Sequence, residues 1–402
     1  MKKRICVFSL AYEPYMGGAE IAVREITGRL EAGYSFDVIT VRFDRSLPKH
    51  EVVGAVTVHR VGIGGKNPSP HDLLTWPLYL NKVFFTPLAF FKAMRLHLRH
   101  RFDLVWSVMS YMGFPALFFK LFFDVPLVLT LQEGDTSEHI TRRFRIRVVG
   151  FLYRAIFKHA KVVQAISTYL ADFARTEGYQ GTPIVIPNGV NTEQFSRNVS
   201  DENIHTIRTR HNISHDAYIL ITTSRLVPKN GIDTVISALT HLAPDAHFLI
   251  LGEGPDKKKL TAHAEAEGVA GRVIFAGEVS HDILPDYLQA SDVFVRMSRS
   301  EGMGNSFIEA MAAGIPVVAT PVGGIVDFLF DPRTPMGQVL PTGIFAEVDN
   351  PESVADAVAR IRAKDVLRAR MVEGARKLVR EKYDWSRIAH DMDTKVFARA
   401  LS

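Results

Sequence analysis

The chain has 402 residues, 47% hydrophobic and 23% charged, which excludes a disordered or fibrous protein and suits two globular domains of ordinary size. Its single cysteine, Cys6, excludes an internal disulfide and points to a reducing, cytoplasmic setting. The net charge of +5 conceals a split: residues 1–190 carry 24 Lys and Arg against 15 Asp and Glu, and the remainder carries 24 against 28.

The basic half calls for an anionic partner. Nucleic acid would want cations interleaved with aromatics on a recognisable motif, and the chain has none, so no nucleic acid is expected. An anionic membrane surface fits better. MKKR followed by ICVFSLAY imitates a signal peptide, but the run is short and meets Glu13 and Pro14 without a cleavage site, so it reads as a first strand. The uncharged run between Asp103 and Lys120 falls short of the roughly 18 residues of a spanning helix and is interrupted by Gly113 and Pro115.

Short β-branched runs then alternate with helix-length segments to the end of the chain. KRICVFSL, FDVITVR, VTVHRVG, DLVWSVMS, PLVLTLQ, KVVQAIS and TPIVIPN read as strands, several apolar throughout, as parallel strands buried on both faces are. AYILITTS, AHFLILGEG, RVIFAGEV, DVFVRMS, IPVVAT and GIFAEVD repeat the pattern, with helices such as TVISALTHL and SFIEAMAAG between them. The alternation predicts an α/β chain of two Rossmann-like, doubly wound domains. The boundary falls near IPNGVNTEQF and the strand-poor stretch behind it, giving residues 1–185 and 186–382. Ligands of such sheets sit at the carboxyl ends of strands, so the two domains are expected to face each other across a cleft that holds the site.

After DVFVRMS, the loop RSEGMG leads into a helix starting near Asn305. Gly302 and Gly304 permit positive φ and close approach of a ligand. The amides of Asn305, Ser306 and Phe307 at the helix start suit an anion, and Gly314 with Pro316 ends the helix. Glu301 and Glu309 bracket the turn. A carboxylate cannot share an anion with those amides, so each glutamate is suited to hydroxyls on either side of a phosphate. A ligand with phosphate in the middle and hydroxylated rings at both ends is a sugar nucleotide. Taken alone, the pair equally fits a solvated loop residue and a partner of the helix dipole. Two further turns narrow the choice. SRLVPKNGID places Arg225 and Lys229 where cations reach phosphates, and PYMGGAE opens a helix with Gly17 and Gly18.

The succession PYMGGAE, IPNGVNTEQF, SRLVPKNGID, FAGEV and SEGMGNSFIEAMAAGIPVVATPVGG resembles glycosyltransferase family 4, which has the GT-B fold. The resemblance covers nearly the whole chain, and the E-x7-E segment is its most specific part. It implies a retaining, metal-independent transferase, without a cofactor, that uses a nucleotide-sugar donor bound mainly by the second domain. On the matching positions, it implies that Glu301 holds hydroxyls of the donor sugar and Glu309 the nucleotide ribose. The backbone of Gly302, Met303, Gly304 and Asn305, with Ser306 beside it, would line sugar and diphosphate, and Arg225 would neutralise the diphosphate. Gly17 and Gly18 would let the first domain's loop close on donor and acceptor, and the backbone at Glu278 would border the nucleobase. The last helix, residues 383–402, would cross back to the first domain.

Two positions depart from the family pattern. Asn230 stands where many members have lysine, with Lys229 one position earlier as a substitute. Gln132 stands where members often have histidine, and a glutamine orients a hydroxyl but cannot take its proton. The departing phosphate can take it instead. Glu133, Asp135 and His139 are candidate substitutes, Glu133 foremost, although Asp135 equally suits a helix cap.

No acidic residue lies between His139 and Ala171, and TRRFRIRVVGFLYRAIFKHAK holds seven Arg and Lys. Residues 142–161 therefore suit a helix on an anionic membrane, with a lipid-linked or cell-envelope glycan acceptor at the cytoplasmic face of the plasma membrane. HDLLTWPLYLNKVFFTPLAFFKAMRLHLRHR adds Trp76, Tyr79 and several phenylalanines, most of which are expected in the core. Among rivals, a sugar-nucleotide epimerase would lack the E-x7-E context, and a nicotinamide enzyme would need a G-x-G-x-x-G absent here. A nucleotide-sugar-binding protein without turnover draws support only from Gln132 and Asn230.

Overall fold

In the computed structural model, which describes residues 2–66, 79–135, 149–333 and 340–402, the apolar runs form two separate sheets. The chain divides into one unit of Met1–Asn188 with Trp385–Ser402 and a second of Gly189–Asp384.

The first unit's sheet comprises β1 (Lys3–Phe8), β2 (Tyr34–Val41), β3 (His50–Val53), β4 (Val56–Val61), β5 (Leu104–Val108), β6 (Leu127–Leu131), β7 (Val162–Ala165) and β8 (Ile184–Val185). Their order is β3-β4-β2-β1-β5-β6-β7-β8, so the winding reverses between β1 and β5. All neighbours are parallel except β3, which folds back antiparallel onto β4. β3 is a strand the sequence pattern did not predict. HEVV is exposed to half-buried along its length, as an edge strand is, and lacks the apolar run of its neighbours.

Helices α1 (Gly18–Leu30), α2 (Tyr79–Arg99), α3 (Gly113–Phe123) and α4 (Gly150–His159) cover this sheet. The helical run 385–401 belongs to the same unit. Trp385, Ile388, Val396 and Phe397 join the core formed by Val7, Val38 and Trp106, and the Phe397 ring stands edge-on to Trp106 at 5.2 Å.

In the second unit β9 (Tyr218–Thr223), β10 (Ala246–Leu251), β11 (Val273–Gly277), β12 (Val293–Arg296), β13 (Val317–Ala319) and β14 (Ile344–Phe345) are all parallel. Their order, β11-β10-β9-β12-β13-β14, is the Rossmann order with the reversal between β9 and β12. The class is α/β with two doubly wound sheets. No helix of the described residues is long and apolar enough to cross a membrane.

Candidate functional site

The loops that leave β9 and β12 flank the reversal of the second sheet, so they stand side by side at the carboxyl ends of neighbouring strands. Arg225 and Lys229 lie on the first loop, Glu301 to Gly304 on the second, and Asn305 and Ser306 open the helix behind it. The first loop presses against the end of β12: Gly231 takes φ +61°, and a Cβ there would lie 1.9 Å from the Met297 carbonyl oxygen. Only glycine meets both conditions.

A side chain that the sequence reading overlooked holds the two loops together. Arg296, the last residue of β12, is buried and forms an ion pair with Glu301. Its Nη1 donates to Ser306 Oγ at 2.8 Å, its Nε to Ser298 Oγ at 3.1 Å, and its Nη2 also reaches Asn230 Oδ1 at 3.3 Å. The guanidinium lies 5.2 Å from the centre of the Phe307 ring. Asn230, itself buried, donates from Nδ2 to the Arg225 carbonyl at 2.7 Å. The asparagine found in place of a lysine is therefore a brace between the Arg225 turn and Arg296. The signal was present in DVFVRMS, because an arginine inside an apolar strand must find buried partners.

The glycine turn differs from expectation in two details. Gly304 takes φ +90°, but Gly302 does not adopt a positive φ, and its amide donates to Glu301 Oε1 at 3.1 Å. The Phe307 amide donates to the Gly304 carbonyl at 3.1 Å, so it is committed within the turn and is no donor to an anion. The helix Asn305–Ala313 then runs to Gly314, which ends it in the left-handed conformation. Lys229 belongs to a turn fastened by Arg299, whose amide donates to the Lys229 carbonyl at 2.7 Å. The Arg299 guanidinium pairs with Asp233 and Asp349. Burial pushes the Asp233 carboxyl up, but the Arg299 bond and charge together with the backbone amides it accepts outweigh this and hold it below the usual range.

Glu309, one turn into the helix, has a partner of its own. His281 Nε2 lies 3.0 Å from Glu309 Oε1. His281 is in turn held by the segment VNTEQF: Gln194 donates to its carbonyl at 3.0 Å, and the Phe195 ring packs against its imidazole at 5.0 Å. Glu278 follows β11, the edge strand, and is exposed.

In the first unit the residues of interest gather where β1, β5 and β6 end. Gly17 caps α1 with an extended backbone, and its amide donates to Glu20 at 2.9 Å, so this amide is spent on the helix's own carboxylate. Gly18 is the first residue of α1. Gln132 accepts from Asn188 Nδ2 at 2.9 Å, which gives IPNGV a fastening role in this unit. Glu133 is buried, and its Oε1 accepts the Ser110 amide at 2.5 Å, while Ser110 Oγ accepts from Tyr153 at 2.9 Å. Glu133 Oε2 is buried with no hydrogen-bond partner among the described residues. Burial pushes the Glu133 carboxyl up, and that of Glu20 likewise, against the pull of the bonds each accepts. His139, Trp76, residues 142–148 of the basic stretch and the helix that Asp135 would cap lie outside the described residues.

Residues 17–189 match the family model described as "Glycosyl transferase 4-like domain", and residues 203–378 match "Glycosyl transferases group 1". The chain is 28% identical over 406 aligned positions to an uncharacterised glycosyltransferase of Methanocaldococcus jannaschii, covering 96% of each. It is 31% identical over 295 positions to the D-inositol 3-phosphate glycosyltransferase of Xylanimonas cellulosilytica, covering 69% of this chain and 67% of that one. Among solved structures, Anabaena HepE in complex with UDP-glucose matches with a TM-score of 0.75 at 18% identity, covering 98% of this chain and 99% of that one. That likeness is one of fold. Fold and family models together define a glycosyltransferase of the GT-B type. The chain belongs to glycosyltransferase family 4.

Proposed function

We propose that the chain is a retaining, metal-independent glycosyltransferase that moves a sugar from a nucleotide-sugar donor to a lipid-linked or cell-envelope glycan at the cytoplasmic face of the membrane. The observation that carries this reading is the pair Glu301 and Glu309 on either side of an amide-rich turn, beside the cationic Arg225 turn at the sheet's reversal. A carboxylate offers about four acceptor positions. Glu301 therefore accepts from Arg296 and Gly302 and retains capacity for a sugar hydroxyl, while Glu309 accepts from His281 and takes a ribose hydroxyl beside it. Arg225 and Lys229 neutralise the diphosphate, the turn from Gly302 to Asn305 and the Ser306 hydroxyl line sugar and diphosphate, with the Gly302 amide kept by Glu301, and the backbone at Glu278 borders the base.

In the proposed step the bond between the anomeric carbon and the phosphate oxygen breaks, leaving an oxocarbenium-like sugar. The acceptor oxygen bonds to the same face, and the departing diphosphate takes the acceptor's proton. Gln132, oriented by Asn188, directs the hydroxyl, and the Gly17-Gly18 turn borders it. Glu133 stands behind as a group that keeps its proton more tightly than an ordinary carboxyl. HepE, the structural neighbour crystallised with UDP-glucose, lends the donor class support at the level of fold. Asn230 no longer favours a protein without turnover, because the asparagine has its own bracing task.

The test is thermal stabilisation by UDP-, GDP-, ADP- and dTDP-sugars, with wild type beside Glu309→Ala. One nucleotide is expected to raise Tm in wild type and not in the variant, unchanged by a chelator. A chelator-sensitive shift overturns metal independence, and no shift with any donor overturns the donor assignment. The anomeric configuration of the product decides retention.

A further inference from the structure

Helix α2 is apolar on two faces, and among the described residues only one of them is packed against the rest of the fold. Phe85, Ala89, Ala93 and His97, four residues apart, are buried on the side that packs towards β2, β4 and α3. Phe84, Leu88, Phe91 and Leu98 follow a second line at helical spacing and face solvent, with relative exposures of 51%, 41%, 58% and 72%. The end of α3 extends this surface. Phe122 is 73% exposed, and its ring lies 5.4 Å from that of Phe90 on α2. A contiguous exposed apolar surface of this kind is a docking site or an aggregation hazard.

The charges around it select the occupant. Neither α2 nor α3 contains an acidic residue. Arg95 lies within the exposed line, and Arg99, His100 and Arg101 follow at its end, all exposed. Lys92 is half-buried, and its ammonium is pushed below its ordinary range by burial and by the neighbouring Arg95 and Arg99 charges. Asp124, at the rim, pairs with Lys120. A second copy of the chain laid on this face would set arginine against arginine. An anionic bilayer would take the aromatic and aliphatic side chains between its headgroups while the cations reach the phosphates.

We propose that the outer face of α2, extended by the end of α3, is a docking surface for anionic lipid bilayers. It goes beyond the transfer reaction and is read without donor or acceptor, so its failure leaves the donor assignment standing. The experiment is flotation of the full chain with vesicles of phosphatidylcholine alone or mixed equally with phosphatidylglycerol, at low and high salt. Wild type is expected to float with the mixed vesicles at low salt and to be released by high salt. Phe84→Ser with Phe91→Ser, both at exposed positions, is expected to cut binding by roughly tenfold or more. Arg95→Glu is expected to weaken it by roughly fivefold or more. Circular dichroism and Tm of each variant exclude misfolding. The proposal is overturned if wild type ignores mixed vesicles or if the serine variant floats as well as wild type. It is equally overturned if sedimentation shows a dimer that the serine variant dissolves, which would assign the face to a second copy.

Discussion

Both sheets reverse their winding at one point, and both set buried or half-buried carboxyl groups beside it, yet the two places are built on different electrostatics. In the second unit Glu301 is met by the Arg296 guanidinium and Glu309 by an imidazole. In the first unit Glu133 and Glu20 are met by backbone amides, and burial pushes both carboxyls up. A guanidinium or an imidazole orients the oxygens it meets, whereas burial among amides alone makes a carboxyl that holds its proton longer. The second unit is thus suited to grip a hydroxylated ligand whose charge lies elsewhere. The first offers carboxyls that burial alone holds, with no cation beside them among the described residues.

The contrast breaks most visibly at Arg296. Arg296→Met leaves Glu301 buried without its cation and removes the partner of Asn230 and Ser306. Loss of one member of such a pair costs about 3–5 kcal/mol, read as a lower urea midpoint. Donor-induced stabilisation should vanish with it. If Arg296→Met unfolds at the wild-type midpoint, the Glu301 carboxyl is no more dependent on a cation than Glu133 is. A smaller effect is expected at Asn230→Ala, which removes one of the donors to the Arg225 carbonyl, leaving it the Val227 amide and the Ser224 hydroxyl, and leaves one guanidinium direction unmet, at about 1–3 kcal/mol. Asn230→Lys, which restores the common family residue, should cost at least as much, because the position is buried against Arg296.

Features written in neighbouring residues were legible in the chain. Continuous apolar runs gave the parallel strands, the glycine after Ala313 gave the helix end, and the E-x7-E segment with its flanking turns gave the family. Features made by residues far apart were not. Asn230 and Arg296 are separated by 66 positions, and Gln194 and His281 by 87, so nothing local announces that they meet. The expected anion donor at Phe307 failed for a local reason: a tightened first turn returned its amide to Gly304. The exposed line of α2 was hidden by its own composition. An apolar helix reads as core from periodicity, and only solvent exposure separates its two faces.

His281 offers a finer comparison, because its contact orients Glu309 without burying it. His281→Ala should free the Glu309 carboxylate to rotate and raise the donor KM by roughly fivefold, about one hydrogen bond's worth, with kcat little changed. His281→Asn should recover part of the loss. Gln194→Ala, which acts on His281 through its backbone, should give a weaker version of the same KM effect. A fall in kcat at constant KM would instead place His281 against the reacting groups.

The smallest expected effect is the one that separates the two kinds of carboxyl most cleanly. Glu133→Gln keeps the acceptor for the Ser110 amide and cannot ionise. In wild type the folded-state pKa of Glu133 lies above the unfolded value near 4.5, because burial disfavours its charge. Its contribution to stability is therefore fully present below the unfolded pKa and declines as pH rises towards the folded one. The variant has no such decline. Urea midpoints of the two proteins, followed from about pH 4 to 8, should diverge in favour of Glu133→Gln as pH rises and run parallel once the folded pKa is passed. A difference constant across that range would mean that Glu133 titrates as it does in the unfolded chain. A difference of opposite sign would mean that folding lowers the Glu133 pKa, so that its hydrogen bonds outweigh the burial around it.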